Sequence, residues 1–283
     1  MLSSKSPLTI AQISDCHLFS SISGLHHGVN VYQNLLRVLT DIAQNSAVEA
    51  IFFTGDLTQD HSEASYQNFV KAIKSAGIRV PVYYLAGNHD EVALLDKYLV
   101  EQQRVTDNIN QKGNERVFKA AKTVTLRGWQ VQLLHSKSET PAGWVNQTEF
   151  QRLATVNNVN KKQLIMMHHH PIDVGYFIDK HGLLNQDEFW LEVRKIPNIA
   201  AIACGHVHRA SKASAVKVLE QNESAQYMPS VDVYTCPATS IQFDPKSSTV
   251  KALAQGPGYR LFYLAENGTL NSDVVWLEQI TEI

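Results

Sequence analysis

The sequence predicts an α/β protein in a single domain, with helices flanking two sheets. Short β-rich runs alternate with stretches whose apolar residues recur at helical spacing. No Pro/Gly/Ser-rich linker, charge block or internal repeat divides the 283 residues. The main β-runs before residue 210, apart from a central meander, are each followed by polar residues at the strand end, where sites in α/β sheets usually form.

The elements follow in chain order. Residues 9–13 read as a strand, and residues 31–43 as a helix, because Leu35, Leu36, Leu39 and Ile42 fall on one helical face. Residues 51–53 are the next strand. Residues 64–75 form a helix stopped near Gly77, a residue that tolerates the left-handed turn ending a helix. Residues 82–85 are a strand and 92–99 a helix. From residue 116 to 134 the spacing shortens, and Arg127-Gly128 turns the chain between strands at 123–126 and 130–134. A helix at 148–157, a strand at 163–167, a helix at 187–195 and a strand at 199–204 resume the alternation. The remainder is expected to be mostly strands.

Composition excludes several classes of function. With 44% hydrophobic and 18% charged residues, the chain is neither disordered nor collagen-like. Lys and Arg total 25 against 27 Asp and Glu. A net charge of −2 gives no electrostatic reason for a polyanion surface, so no nucleic acid partner is expected. Apolar runs such as 199–204 fall far short of the roughly 20 residues that span a bilayer, so no membrane partner is expected either. Residues 1–7 lack the apolar core of a secretory signal. Cys16, Cys204 and Cys236 are an odd count without metal-ligand spacing, as befits reduced core thiols, and the expected compartment is the cytoplasm.

The chemistry sits where the strands end. After 9–13 comes Asp15-Cys16-His17, after 51–53 Gly55-Asp56, and after 82–85 Gly87-Asn88-His89-Asp90. After 163–167 comes His168-His169-His170, and after 199–204 Gly205-His206-Val207-His208. In extended backbone, residues i and i+2 point the same way, so Asp15 with His17, and His206 with His208, could each present two donors to one centre. Gly55, Gly87 and Gly205 each precede a proposed donor and would let the backbone approach an ion. The donor set is Asp15, His17, Asp56, Asn88, His168, His206 and His208. Seven exceed one tetrahedral ion but suit two ions sharing a carboxylate. The absence of thiolates favours Mn, Fe or Zn. Two such cations, about 3.5–4 Å apart, define a phosphoester hydrolase.

Together, in this order, Asp-x-His, Gly-Asp, Gly-Asn-His-Asp, His and Gly-His-x-His resemble the motifs of the calcineurin-like metallophosphoesterases. The resemblance implies a four-layer sandwich of two mixed β-sheets flanked by helices, with metals at the strand ends. It also implies a first ion on Asp15, His17, Asp56 and His208, and a second on Asp56, Asn88, His168 and His206. It selects His168 from the three adjacent histidines. His89 would act on the leaving oxygen, oriented by a hydrogen bond to Asp90, and Asn88, His89 and His208 would contact substrate. The attacking group would be a hydroxide held between the ions.

Longer segments are similar to the bacterial class III cyclic AMP phosphodiesterases: residues 28–30, GDLTQD at 55–60, the triple histidine with Pro171 and Gly175, CGHVH at 204–208, TSIQF at 239–243 and PGYR at 257–260. The implied reaction is hydrolysis of 3′,5′-cyclic AMP to 5′-AMP. The alternatives are other phosphodiesters, such as 2′,3′-cyclic nucleotides or glycerophosphodiesters, and phosphomonoesters. The chain departs from the subfamily at His135, where an Asp is usual, and at Thr239-Ser240-Ile241. A scaffold that had lost the chemistry should lack ligands, and all seven are present.

Other conspicuous residues have plainer readings. Asp60 and His61 are expected to cap the following helix. Cys16 should turn away from its neighbours into the core, and Trp129, Trp144, Trp190 and Trp276 are expected in core or interface positions. His135 ends a strand, but seven donors already complete both coordination spheres, so a structural or substrate-side role is expected. His169 and His170 are either packing residues or supports of the site.

Overall fold

The computed structural model describes residues 6–101, 117–155, 160–214 and 231–279. Two six-stranded sheets organise the chain. The first contains β1 (Leu8–Ile13), β4 (Val48–Phe53), β5 (Val82–Tyr84), β6 (Phe118–Lys119), β13 (Gly258–Leu264) and β14 (Leu270–Trp276), ordered β14-β13-β1-β4-β5-β6. The second contains β7 (Thr123–Leu126), β8 (Trp129–Leu134), β9 (Lys162–Met167), β10 (Ile199–Cys204), β11 (Ser211–Ser214) and β12 (Asp232–Thr235), ordered β11-β12-β10-β9-β8-β7. In each sheet four neighbouring strands run parallel, and the antiparallel pairings lie toward the edges. The sheets are therefore mixed. A hairpin of β2 (Leu25–His26) and β3 (Val29–Asn30) stands apart from both.

Strand alternation builds the layers, because successive side chains face opposite sides of a sheet. On β1 and β4, Ile10, Ala50 and Phe52 join Leu164, Met166, Ala201 and Ala203 of the other sheet in a core between the two. Their neighbours Ala11, Ile13, Ile51 and Phe53 face the other way, against helices α1 (Val31–Gln44) and α2 (Glu63–Ser75). On the second sheet Ile165, Met167, Ile202 and Cys204 pack against helices Gln147–Thr155 and Gln186–Val193. The result is helix, sheet, sheet, helix, the four-layer sandwich that the motifs implied.

The expected elements appear within a few residues of their sequence positions, with informative differences. Arg127 and Gly128 both have positive φ, 41° and 86°, the geometry that matches a two-residue loop to the twist of β7 and β8. The helix expected at 92–99 is α-helical only over Val92–Asp96 and continues as a π-helical turn, Lys97–Glu101. The helix expected at 148–157 spans Gln147–Thr155, with positions 156 and 157 outside the described residues, as is 116. Helix α2 is capped by Ser62, whose side chain accepts from Ser65 N, and not by Asp60 or His61. Asp60 instead accepts from Ser20 N and from Ser62, which ties two loops together. The C-terminal region is less strand-rich than expected, because residues 236–257 run as an irregular segment between β12 and β13.

Candidate metal centre

The strand ends converge. Asp15, His17 and His208 lie with ligand atoms within 4.8 Å of one another, and so do Asp15, Asp56 and His168. All five are buried. Asp56 Oδ2 stands 3.7 Å from His17 Nε2 and 3.3 Å from His168 Nε2, so one carboxylate oxygen faces both groups. Asn88 Oδ1 lies 3.1 Å and His206 Nδ1 3.2 Å from His168 Nε2, while Asp15 Oδ1 is 3.4 Å from His208 Nε2. All seven donors expected from the sequence meet here.

Proton bookkeeping tests whether cations fit. His17 Nδ1 donates to Gln59 Oε1 at 2.8 Å, His168 Nδ1 to the Thr54 carbonyl at 2.7 Å, and His208 Nδ1 to the Ile241 carbonyl at 2.8 Å. Each neutral ring then presents a bare lone pair at Nε2, the arrangement in which a second hydrogen bond fixes a ligand tautomer. Yet His17 Nε2 and His208 Nε2 point at each other across 3.0 Å. Acceptors facing acceptors in a buried site are stable only with positive charge between them. Burial, with His208 beside it, holds His17 well below the usual histidine range. For His168 burial also favours the neutral ring, but the Asp56 carboxylate outweighs it and pushes the pKa up to about 9. Burial alone would raise Asp56 in turn, but His168 outweighs it and holds the carboxyl well below the usual carboxylate range. That carboxylate demands a cation at His168 Nε2, and a metal ion fills the same demand. The donor set fits.

The backbone that delivers these groups is strained. Asp15, His17, Asp56, His206 and His208 have φ of 57°, 48°, 57°, 65° and 50°. Non-glycine residues pay about 1–3 kcal/mol each for such conformations, which persist where the surroundings over-determine them. This corrects the expectation of extended Asp-x-His and His-x-His segments. Asp15 and His17 do share one group. His206 and His208 do not: His206 faces His168 and His208 faces His17. Close approach explains the glycines. A Cβ on Gly87 would lie 2.2 Å from Asp56 Oδ1, and one on Gly205 would lie 2.0 Å from Ser14 Oγ.

His89 and Asp90 divide their work differently from expectation. The His89 ring meets His17 edge-on at 4.9 Å and lies parallel to His61 at 5.8 Å, and its Nδ1 has no hydrogen-bond partner among the described residues. Its backbone N–H donates to Asp56 Oδ1 at 2.9 Å. Asp90 does not orient that ring. Its buried carboxylate accepts from the backbone N–H groups of Asp56, Leu57 and Gly87, each at 2.8 Å, and so pins together the two turns that carry Asp56 and Asn88. Burial and the charge of Asp56 push its pKa up to about 6, and those N–H groups oppose the rise.

Several supports escape sequence reading. Lys137 donates to the Asn88 carbonyl at 2.8 Å, three residues beyond the end of β8. Ser240 Oγ donates to the Asp15 carbonyl at 2.6 Å, and Asn34 holds the Ser240 carbonyl. The β2–β3 hairpin lays the His26 ring parallel to His17 at 5.3 Å. Gln59 lies within GDLTQD and Ser240 within TSIQF, the signal by which both could have been found. His169 is held by Ser136 Oγ and the Pro141 carbonyl, and His170 by Asp179. His169 also has a ligand atom within 4.8 Å of those of His168 and His206, and the His170 ring stacks on that of His206 at 5.7 Å. His135 is in none of the ligand groups found among the described residues; its N–H donates to Glu149 at 3.4 Å. Cys16 is buried in the helix-side core. Trp129 and Trp190 are core residues, whereas Trp144 and Trp276 are exposed.

Comparison with known proteins places this site in context. The model of the calcineurin-like phosphoesterase family matches residues 8–210. A protein of Colwellia psychrerythraea described as a probable cyclic nucleotide phosphodiesterase is 53% identical over 271 residues, 96% of this chain and 95% of that one. The 3′,5′-cyclic adenosine monophosphate phosphodiesterase CpdA of Escherichia coli is 28% identical, over 96% of this chain and 91% of its own. Among solved structures, a dimetal phosphatase from Danio rerio shares the fold with a TM-score of 0.61 at 12% identity, over 93% of this chain and 94% of that one. Among the described residues, no helix is long and apolar enough to cross a membrane.

Proposed function

This chain belongs to the calcineurin-like phosphoesterases, and from that premise we propose that it hydrolyses 3′,5′-cyclic AMP to 5′-AMP at a pair of metal ions, the whole chain acting as one unit in the cytoplasm. The observation that carries the two-ion reading is Asp56 Oδ2, shared between the lone pairs of His17 and His168. One ion would rest on Asp15, His17, Asp56 and His208, the other on Asp56, Asn88, His168 and His206. Imidazole, carboxylate and amide donors suit Fe, Mn or Zn. When bound, such ions polarise a phosphoryl group, acidify water and stabilise in-line displacement.

The side chains supply the rest. Asn88, His89 and His208 line the cleft, where they would contact the phosphate. Water adds to phosphorus and gives up its proton to solvent, the bond from phosphorus to O3′ breaks, and the protonated His89 ring hands its proton to O3′ and regains one from solvent. Asp90 acts through the backbone, keeping Asp56 and Asn88 in register. The descriptions of relatives that align over nearly the whole chain support a cyclic nucleotide as substrate. The three cysteines, all buried and unpaired, fit a reducing compartment.

The test is turnover of Mn-loaded protein on 3′,5′-cyclic AMP, 2′,3′-cyclic AMP, a glycerophosphodiester, a phosphomonoester and an aryl phosphodiester, with product identified by chromatography. Cyclic AMP should lead and yield 5′-AMP. Turnover orders of magnitude below that of the aryl diester would overturn the assignment.

A further inference from the structure

We propose that an apolar wall beside the metal centre, formed by Phe177, Ile178, Pro141 and Val250 with Phe243 behind it, receives the nucleobase of the substrate. The proposal rests on the phosphodiesterase reading above, because it locates the base relative to a phosphate at Asp56. The cleft that contains the metal-binding groups has a volume of about 210 Å³, and these five residues complete its lining together with His181.

Two observations separate the wall from ordinary core. Ile178, Ile241 and Phe243 form a small cluster distinct from the three that hold the layers together, so they bind no sheet to its helices. The cleft-side residues of the wall are also accessible: Val250 is 42% exposed, Pro141 is exposed and Phe177 is only half-buried. Apolar groups left open at the mouth of a polar site are a contact surface in search of an apolar ligand face.

The wall is also joined to the site and held still. The Phe243 ring stacks on that of His208 at 3.9 Å with an interplanar angle of 4°, and Phe177 packs on Phe243 at 5.4 Å. A phosphate near His208 therefore has an aromatic surface two rings away. The turn carrying Phe177 and Ile178 is tied down by Asp179, whose carboxylate accepts from the N–H groups of Val174, Gly175 and Tyr176 and pairs with His170. A preformed surface loses little entropy when it binds. Its chemistry discriminates as well. A flat π-face gains from Phe177, Pro141 and Val250, whereas a glycerol or aminoalcohol group would find no acidic side chain on that wall.

Calorimetric titration of Mn-loaded protein with 5′-AMP, ribose 5-phosphate and inorganic phosphate isolates the contribution of the base. Wild type should bind 5′-AMP at least about tenfold more tightly than ribose 5-phosphate, the scale of one base-stacking contact. Phe177→Ala combined with Val250→Ala should shrink that ratio by about tenfold and leave ribose 5-phosphate and phosphate affinities unchanged. Equal affinities in wild type, or a ratio that survives both substitutions, would overturn the wall while phosphate binding kept the metal-centre reading intact. If phosphate itself failed to bind wild type, both readings would fall together. Should the double variant fold poorly, Val250→Ala alone, at an exposed position, carries the comparison.

Discussion

Asp90→Asn separates the role the structure gives Asp90 from the one the sequence suggested. The carboxylate accepts three buried N–H groups: Oδ2 takes those of Asp56 and Gly87, and Oδ1 that of Leu57. An asparagine can turn its oxygen toward the first two, but its NH₂ then meets the Leu57 N–H. One buried donor loses its acceptor, at a cost of about 1–3 kcal/mol. At about 2–4 °C per kcal/mol for a chain of this size, the melting temperature should fall by about 2–12 °C. Because one bond instead of two then holds the turn that carries Asp56, metal affinity should also fall by about 10- to 100-fold, as for other groups that orient ligands. Asp90→Ala leaves all three N–H groups without an acceptor, at about 1–3 kcal/mol each. That is a large part of a typical 5–15 kcal/mol of total stability, so this variant should be barely folded. Thermal denaturation and chelator-competition titration measure both effects. An Asp90→Asn protein with wild-type melting and metal affinity but slower turnover would refute this account and restore Asp90 as the partner of His89.

Other perturbations probe the remaining parts. Asp56→Ala should lose both ions by elemental analysis, whereas His206→Ala should keep one; equal loss in the two variants would count against a shared carboxylate. His89→Ala should retain metal and lose about 10²–10⁴ in kcat on cyclic AMP, but far less on a p-nitrophenyl ester, whose leaving group needs no proton; equal loss on both substrates would remove His89 as the proton donor. Glu149, buried between Lys122 and Arg152, offers a test by pH. Burial raises its pKa, but the two cations outweigh this and hold it below the usual carboxylate range. A depressed folded-state pKa contributes stability above the unfolded value, and that stability disappears as pH falls through the folded value. The melting gap between wild type and Glu149→Gln should therefore be widest near neutral pH and close in acid, and a constant gap from pH 3 to 7 would show that the ion pairs are not its source.

What could be read in the sequence was whatever side-chain identity records. Residues 9–13, 51–53, 163–167 and 199–204 are nearly continuous apolar runs, as strands covered on both faces are, and their two faces build the core between the sheets and the cores beneath the helices. The donors were legible because each follows a strand, and the parallel strands of the two mixed sheets gather their ends. What stayed hidden is carried by main-chain atoms. The carbonyls of Thr54 and Ile241 fix the tautomers of His168 and His208, yet any residue at those positions offers the same oxygen. Three backbone N–H groups claim Asp90, and no motif distinguishes an aspartate that accepts from its own backbone from one that orients a ring. The left-handed conformations of Asp15, His17, Asp56, His206 and His208 were equally silent, since none is glycine. That silence has a physical origin. A residue in this region raises the energy of the folded chain by an amount its neighbours must offset, and here those neighbours are one another. Asp15 accepts from His206 N, Asp15 N donates to Gly55 O, and His17 N donates to Asp56 O. The strained turns hold each other in place through bonds between segments up to 191 positions apart, so the geometry of the site is a property of the assembled strand ends and of no single motif.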